Sequence, residues 1–223
     1  VDGMREARLG QHGTALVPST LSARLEAHPD ALRAFRSARH RFVDGERIDM
    51  GRLAAELGVD RTSLFRWVGN RDQLLSEVLW SLAVPTLDAA DRAVTTTGAA
   101  RIVGVLTRFT ADLIEAPYFR VFLTREPSRA LRLLTTTDSD VQRRLVAVVA
   151  TLIDEESAAA RFDPAPLSAR EVASLLVRIS ESFSYADLIS GEPPDADRAR
   201  AAFEYVLRPS APATRPPSDP TAG

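Results

Sequence analysis

The residues best suited to chemistry lie in one run, Arg61-Thr62-Ser63-Leu64-Phe65-Arg66-Trp67-Val68. Read as a helix beginning at Arg61, the run turns Leu64 and Trp67 toward a core. Arg61, Thr62, Ser63, Phe65 and Arg66 are left on the outer face and early turns. Guanidinium groups, hydroxyls and an exposed ring at that place suit contact with a nucleic acid, and the free N–H groups and dipole of a helix N-terminus attract phosphate. Thr62 and Ser63 are positioned to read sequence, whereas Arg61 and Arg66 bring charge. Phe65 can stack or touch a thymine methyl, but has no hydroxyl to offer a phosphate.

The residues just before this run have the spacing needed to position it. Met50, Leu53, Ala54 and Leu57 form the apolar stripe of a two-turn helix that also carries Arg52, and Ala54 is small where a second helix must cross closely. Gly58 supplies left-handed geometry at the helix end. Val59 plugs the corner, and Asp60 is a good N-cap for a helix starting at Arg61. Asn70 caps the next helix. Arg71 in its first turn opposes the macrodipole, which favours acids there, and a phosphate contact would explain it. The competing reading is two ordinary helices joined by a glycine corner, with incidental arginines.

The rest of the chain reads as helices too. Pro29, Pro85, Pro117, Pro127, Pro164, Pro166 and the Pro193-Pro194 pair bound stretches of helix or helix-hairpin length. Within them the apolar period is helical: Leu32, Phe35, Ala38 and Phe42; Val141, Leu145, Val148, Val149 and Leu152; Val172, Leu175, Leu176, Ile179, Phe183 and Ala186. No stretch alternates as a strand would. The expectation is an all-α protein with a flexible arm over 1–20, a three-helix helix-turn-helix head over 21–70, a larger helical bundle over 71–208 and a disordered proline-rich tail over 209–223. Val1, Asp2 and Gly3 precede Met4, a natural start, and read as a cloning remnant.

Composition limits the alternatives. The chain has 223 residues and a net charge of -2, with no cysteine, and all 28 of its basic residues are arginine. The arginine bias reads first as the codon composition of a GC-rich genome. A uniformly basic coat protein is excluded, as are disulfides and thiolate metal sites. Charge is nevertheless uneven: between Ala31 and Arg71 nine arginines face five acids, a net +4 that leaves -6 for the remainder. No signal peptide or run of about 18 to 20 apolar residues is present, so a cytoplasmic protein without a membrane span is expected.

The sequence resembles the TetR family of transcription regulators. The resemblance rests on Phe42 and Gly45, the run Met50 to Val59, Thr62-Ser63-Leu64-Phe65-Arg66-Trp67, and Asn70-Arg71-Asp72-Gln73-Leu74-Leu75. It departs from the family where Phe65 replaces a frequent tyrosine, Trp67 a frequent histidine and Val68 a frequent phenylalanine. Arg71 stands where the family has a lysine that touches phosphate, and the resemblance implies that role for it. Three further segments, Tyr118 to Pro127, Ala130 to Thr135 and Glu181 to Ile189, look like the subgroup of quorum-sensing-degradation regulators, which implies a lactone-type or related effector. The resemblance also implies a homodimer gripping a near-palindromic double-stranded DNA operator, with the recognition helices about 34 to 36 Å apart.

Two helices are expected to pair the subunits. One spans Ser168 to Ser190 with the small stripe Ala173, Val177, Ser180 and Ser184, and the other Asp195 to Arg208 with Ala199, Ala202, Phe203 and Val206. The alternative is packing of both stripes inside one subunit. An effector pocket would draw apolar lining from Trp80, Phe109, Leu113, Tyr118, Phe122, Leu134 and Phe183, and polar anchors from Arg125, Glu126, Arg178, Glu181 and Tyr185. Ordinary core packing and a structural ion pair are the competing readings.

An enzyme is not expected. The three histidines, His12, His28 and His40, are scattered and lack partners at metal-ligand spacing, and there is no phosphate loop or dinucleotide fingerprint. The acid run Asp154-Glu155-Glu156 reads as solvated charge at a helix end. No cofactor or metal is implied. The alternatives are an effector-independent DNA-binding or adaptor dimer and, more remotely, an all-α enzyme using a carboxylate pair.

Overall fold

The computed structural model describes residues 19–208, the side chain of Thr20 apart. The expected arm before Ser19, including His12, and the expected tail from Pro209 onward lie outside the described residues. Within them every regular element is a helix. In chain order these are α1 (Thr20–Ala27), α2 (Pro29–Val43), α3 (Met50–Leu57), α4 (Arg61–Val68), α5 (Arg71–Ala93) and α6 (Ala99–Glu115). They continue with α7 (Pro117–Arg125), α8 (Pro127–Thr135), α9 (Val141–Ala158), α10 (Ala169–Ser184), α11 (Ala186–Ile189) and α12 (Ala196–Val206).

The head differs from the three-helix expectation by the addition of α1. Its apolar pattern is weak, but Ser19 caps it in a reciprocal box with Ser22, and Leu21 is buried in the head core. Pro29 then starts α2 as its first residue, where the missing amide costs nothing. The buried stripe of α2 is Ala31, Ala34, Ala38 and Phe42, rotated from the expected Leu32-Phe35 face. Alanines on this line let α4 and α5 come close, and Phe35 flanks the core half-buried.

The corner between α3 and α4 forms as its residues dictate. Asp49 accepts the Arg52 amide at 2.8 Å and caps α3. Gly58 ends α3 at φ 68°, ψ 32°. A Cβ there would meet nothing within 4 Å, so backbone geometry alone demands the glycine. Asp60 caps α4, and Leu64 and Val68 are buried beneath it. Asn70 and Gln73 form a capping box at the start of α5.

Pro85 does not end an element: it lies inside the 23-residue α5. Its ring removes the amide that would have bonded the Ser81 carbonyl, a cost of about 3 kcal/mol in a helix interior. Burial on both sides of it, from Leu74 to Trp80 and again at Leu87 and Ala90, holds the helix together. The helix expected from Ser168 to Ser190 is in turn broken at Tyr185 into α10 and α11.

Two apolar cores result. The first joins α1–α4 to the start of α5, to Phe119, Phe122 and Leu123 of α7, and to Ala130, Leu133 and Leu134 of α8. The second lies among α5, α6, α9, α10 and α12, around Leu106, Ile153, Leu176 and Phe203. Leu113 packs against both. Glu156, expected in a solvated run, is fully buried and accepts from the Gly98 amide, Arg101 and Arg161, each at 2.7 Å. These contacts tie the end of α9 to the start of α6. Gly98 is required there because a Cβ would come within 2.6 Å of the Arg161 carbonyl.

Candidate nucleic-acid interface and internal cavity

The outward face of α4 carries Arg61, Thr62, Phe65 and Arg66, all exposed, with Phe65 at 39%. Phe65 is among the large apolar side chains that the described residues leave exposed. Ser63 is half-buried: its amide donates to Asp60 Oδ1 at 2.9 Å and its hydroxyl to Oδ2 at 2.8 Å. These bonds hold the Asp60 carboxyl below its ordinary range. The Ser63 proton is therefore committed to the cap, and the hydroxyl can only accept from a bound partner. Arg52 extends from α3 with its guanidinium 3.8 Å from Glu56 and 3.9 Å from Glu46, loose exposed pairs that leave it available.

Arg71 is not presented to solvent as the phosphate contact would require. Its Nη1 donates to Glu126 Oε2 at 2.7 Å, its Nη2 to Oε1, and its Nε to the Ile48 carbonyl at 2.5 Å. Only 13% of the side chain is accessible. Glu126, at the joint of α7 and α8, is held below the usual carboxylate range by the Arg71 hydrogen bonds, with Arg129 and Arg47 adding their charge. Arg125 donates to the Gly45 carbonyl at 2.5 Å. Arg129 and Arg132 of α8 both grip Asp72 of α5. Thus Arg125 and Glu126, expected to anchor a ligand, instead fasten the α7–α8 joint to the head.

The structure brings Trp80, Phe109, Leu113, Tyr118, Leu134 and Tyr185 around one internal cavity of about 40 Å³. Val141 and Leu145 of α9 complete its wall with others of the same character. Among the described residues no charged side chain lines it. The only side-chain polar atoms among the lining residues are the Trp80 indole N–H and the hydroxyls of Tyr118 and Tyr185. Burial raises both phenols, so both remain protonated at neutral pH.

The other expected pocket residues lie elsewhere. Phe122 packs edge-on against Phe42 in the head core, with centroids 5.4 Å apart. Phe183 lies beneath the Arg198 guanidinium at the α10–α12 seam. Glu181 is buried, taking bonds from Gln142 at 3.2 Å and Arg178 at 2.9 Å, and Arg178 also reaches the Thr135 carbonyl. This is a structural pair. Three- and four-residue spacing had put Arg178, Glu181 and Tyr185 on one face, but the break at Tyr185 turns only the last into the cavity.

The small stripe of α10 likewise faces inward. Ala173, Val177, Ser180 and Ser184 are buried within the subunit, and the Ser180 hydroxyl is 2.9 Å from Thr110 of α6. On α12, Ala199 and Phe203 are buried too. What remains outward is Leu175, 47% exposed, with half-buried Ile179 and Phe183 on α10, and Ala202, Val206 and the 70% exposed Tyr205 on α12. Arg198 over Phe183 brings the two faces together.

Sequence reasoning missed the contact of α1 with the body. Buried Arg144 of α9 pairs with Glu77 of α5 at 3.0 Å and lies 5.5 Å over the Trp80 ring. It also donates to Ser22 of α1 at 2.9 Å, and the Ser19 and Ser22 hydroxyls donate to Glu77. Glu77 and Arg144 are 67 positions apart in the chain, so no local pattern could reveal the pair. A charged residue inside each apolar run was the only available signal. Among the described residues no group of three or more histidines, cysteines or acids could hold a metal ion, and no helix is long and apolar enough to cross a membrane.

Residues 97–208 match the family profile described as "Tetracyclin repressor-like, C-terminal domain". Among solved structures, the chain is similar to the R. erythropolis transcriptional repressor QsdR of the TetR family, at 28% identity and a TM-score of 0.73, covering 79% of this chain and 93% of that one. It shares its fold with the TetR family repressor AlkX from Dietzia sp. strain DQ12-45-1b, at 23% identity and a TM-score of 0.55 over 81% of this chain and 94% of that one. Comparison with curated protein sequences gave no match. With the profile spanning half of its length and the helix-turn-helix in place, this chain belongs to the TetR family of transcriptional repressors, a family of regulators and not of enzymes.

Proposed function

We propose that this repressor works in the cytoplasm as a homodimer on a near-palindromic operator and leaves it when a small uncharged molecule enters the cavity. The observation that carries the DNA reading is the exposed row Arg61, Thr62, Phe65 and Arg66 on a helix whose opposite side is buried. Arg52 stands beside it on α3. Two such helices set one helical turn apart would enter successive major grooves. The subunits would pair through the outward face of α10 and α12, around Leu175, Ile179, Tyr205 and Val206, because the inward stripes are already used.

The wall of the cavity selects the effector. Apolar apart from the protonated hydroxyls of Tyr118 and Tyr185, the described lining suits an apolar molecule bearing a hydrogen-bond acceptor, and a lactone-type ring has that chemistry. Its volume of about 40 Å³ is far below the roughly 300 Å³ of a ligand pocket. A ligand must therefore spread α7, α8 and α9, and this is how binding would reach the head: Tyr118 and Phe119 line the cavity from the helix that Glu126 directly follows. The small volume also favours a second reading, an operator-binding dimer with no effector.

Selection of duplexes from a random library by the purified chain tests the first part. Enrichment of an inverted repeat whose half-sites are one turn apart, about 10 bp, is expected, and recovery of no common sequence would overturn it. Screening lactones and other neutral apolar molecules for release of that duplex separates the two readings.

A further inference from the structure

A half-open recess lies at the joint between head and body. It has a volume of about 330 Å³ and is framed by Arg47, Gly51, Arg61, Phe65, Arg71 and Arg129. One side is the N-terminus of α3 and the exposed face of α4. The other is formed by the start of α5 and by α8 of the body. Four guanidinium groups from four different segments thus converge beside the candidate DNA-reading face.

One acid, Asp49, is among the residues lining this recess, and two others, Glu126 and Asp72, hold its arginines without lining it. Asp49 is committed to the Arg52 amide as the cap of α3. Glu126 faces the arginines directly, with bidentate bonds to Arg71, Arg129 Nε at 3.2 Å and Arg47 Nε at 3.9 Å. A carboxylate and a phosphodiester present the same two-oxygen edge to a guanidinium. A DNA strand lying across α3 and α4 would therefore compete with Glu126 for the same donors.

We propose that the recess seats a backbone phosphate of the operator, and that Glu126 is its resident competitor, holding Arg71 while DNA is absent. This rests on the DNA-binding reading and deepens it by naming two contacts outside the recognition helix, Arg47 and the body residue Arg129. The competitor hangs from the α7–α8 joint, and both of those helices line the cavity through Tyr118, Phe119 and Leu134. Spreading that wall moves the acid relative to Arg71, so a ligand biases the competition with no contact of its own to DNA. The size of the bias is set by the ligand's differential affinity for the two arrangements.

The competitor and a simple strut predict opposite signs. The full chain and its Glu126→Gln variant are titrated onto one operator duplex by fluorescence anisotropy over a salt series, with a thermal melt of each. The competitor predicts about tenfold tighter binding by Glu126→Gln and a salt slope steeper by about one unit, as one more phosphate is engaged. Adding Arg71→Ala abolishes the gain. Equal or weaker binding by a variant that melts cooperatively overturns the competitor and makes Glu126 a strut. Arg129→Gln decides the seat independently should Glu126→Gln fail to fold: several-fold weaker binding with a shallower slope supports it, and unchanged binding overturns it. Absence of operator binding by the unaltered chain would instead remove the DNA-binding reading, and the proposal with it.

Discussion

Leu134 closes the cavity from α8 with 6% of its surface exposed, which makes Leu134→Ala a direct measure of how that wall is built. The existing void of about 40 Å³ already costs of the order of 1 kcal/mol at about 24 cal/mol per Å³. Truncation adds the lost transfer energy of the leucine and a larger void, together about 3 kcal/mol with a range of roughly 2 to 5. For a protein of this size the melting temperature should fall by about 6 to 12 °C. The enlarged cavity is apolar and accepts small apolar guests, which a fully collapsed wall would not. A guest at about 100 times its dissociation constant restores roughly 2.7 kcal/mol. The assay is a thermal melt with and without a series of small aromatic and lactone probes. A fall of less than about 1 kcal/mol would refute the packed wall. A full fall with no rescue by any probe would refute the cavity as ligand space.

Arg61→Ala and Arg66→Ala should each weaken operator binding and make its salt slope shallower by about one unit without loss of helicity, whereas Thr62→Ala should change base preference; anisotropy on mutated operators checks both. Leu175→Arg on the outward face of α10 should convert a dimer to a folded monomer by light scattering, while the chain with Ala173→Leu, altered on the inward stripe, should be destabilised instead. Burial raises the Glu181 carboxyl above its ordinary value despite Arg178 and Gln142, so folding binds its proton more tightly and stability rises as pH falls through the raised folded value toward the unfolded one. Glu181→Gln should therefore be the more stable chain at pH 7, with the difference closing toward about pH 4 in melts at stepped pH. Glu126 has the opposite sign: Arg71 lowers its carboxyl, so its contact stabilises above the unfolded value near 4.5 and is lost as pH falls through the folded one, a slope that Glu126→Gln should flatten.

The local features were legible because they are local. The helix-turn-helix corner is written in adjacent residues: an apolar stripe, a glycine at φ 68°, then a capping aspartate. Prolines 29, 117 and 127 mark helix starts for the same reason. Pro85 misled because burial on either side outweighs one missing hydrogen bond, and that burial depends on α6 and α9. The cavity was half legible. Large apolar residues on converging helices were identifiable, but which polar neighbours turn inward depends on the break at Tyr185 and on the partners of Glu126 and Glu181, which are distant in sequence. Small residues on α10 marked close approach correctly, yet could not say to what: Thr110 of α6 answers that within one chain.

The central claim is that α4 reads DNA, and the most direct test is fluorescence anisotropy of the full chain on fragments that include its own promoter, across a salt series. The account predicts tight binding to a short inverted repeat, steeply weakened by salt and well above binding to random sequence. Equal affinity for that repeat and for random DNA at low salt would contradict it.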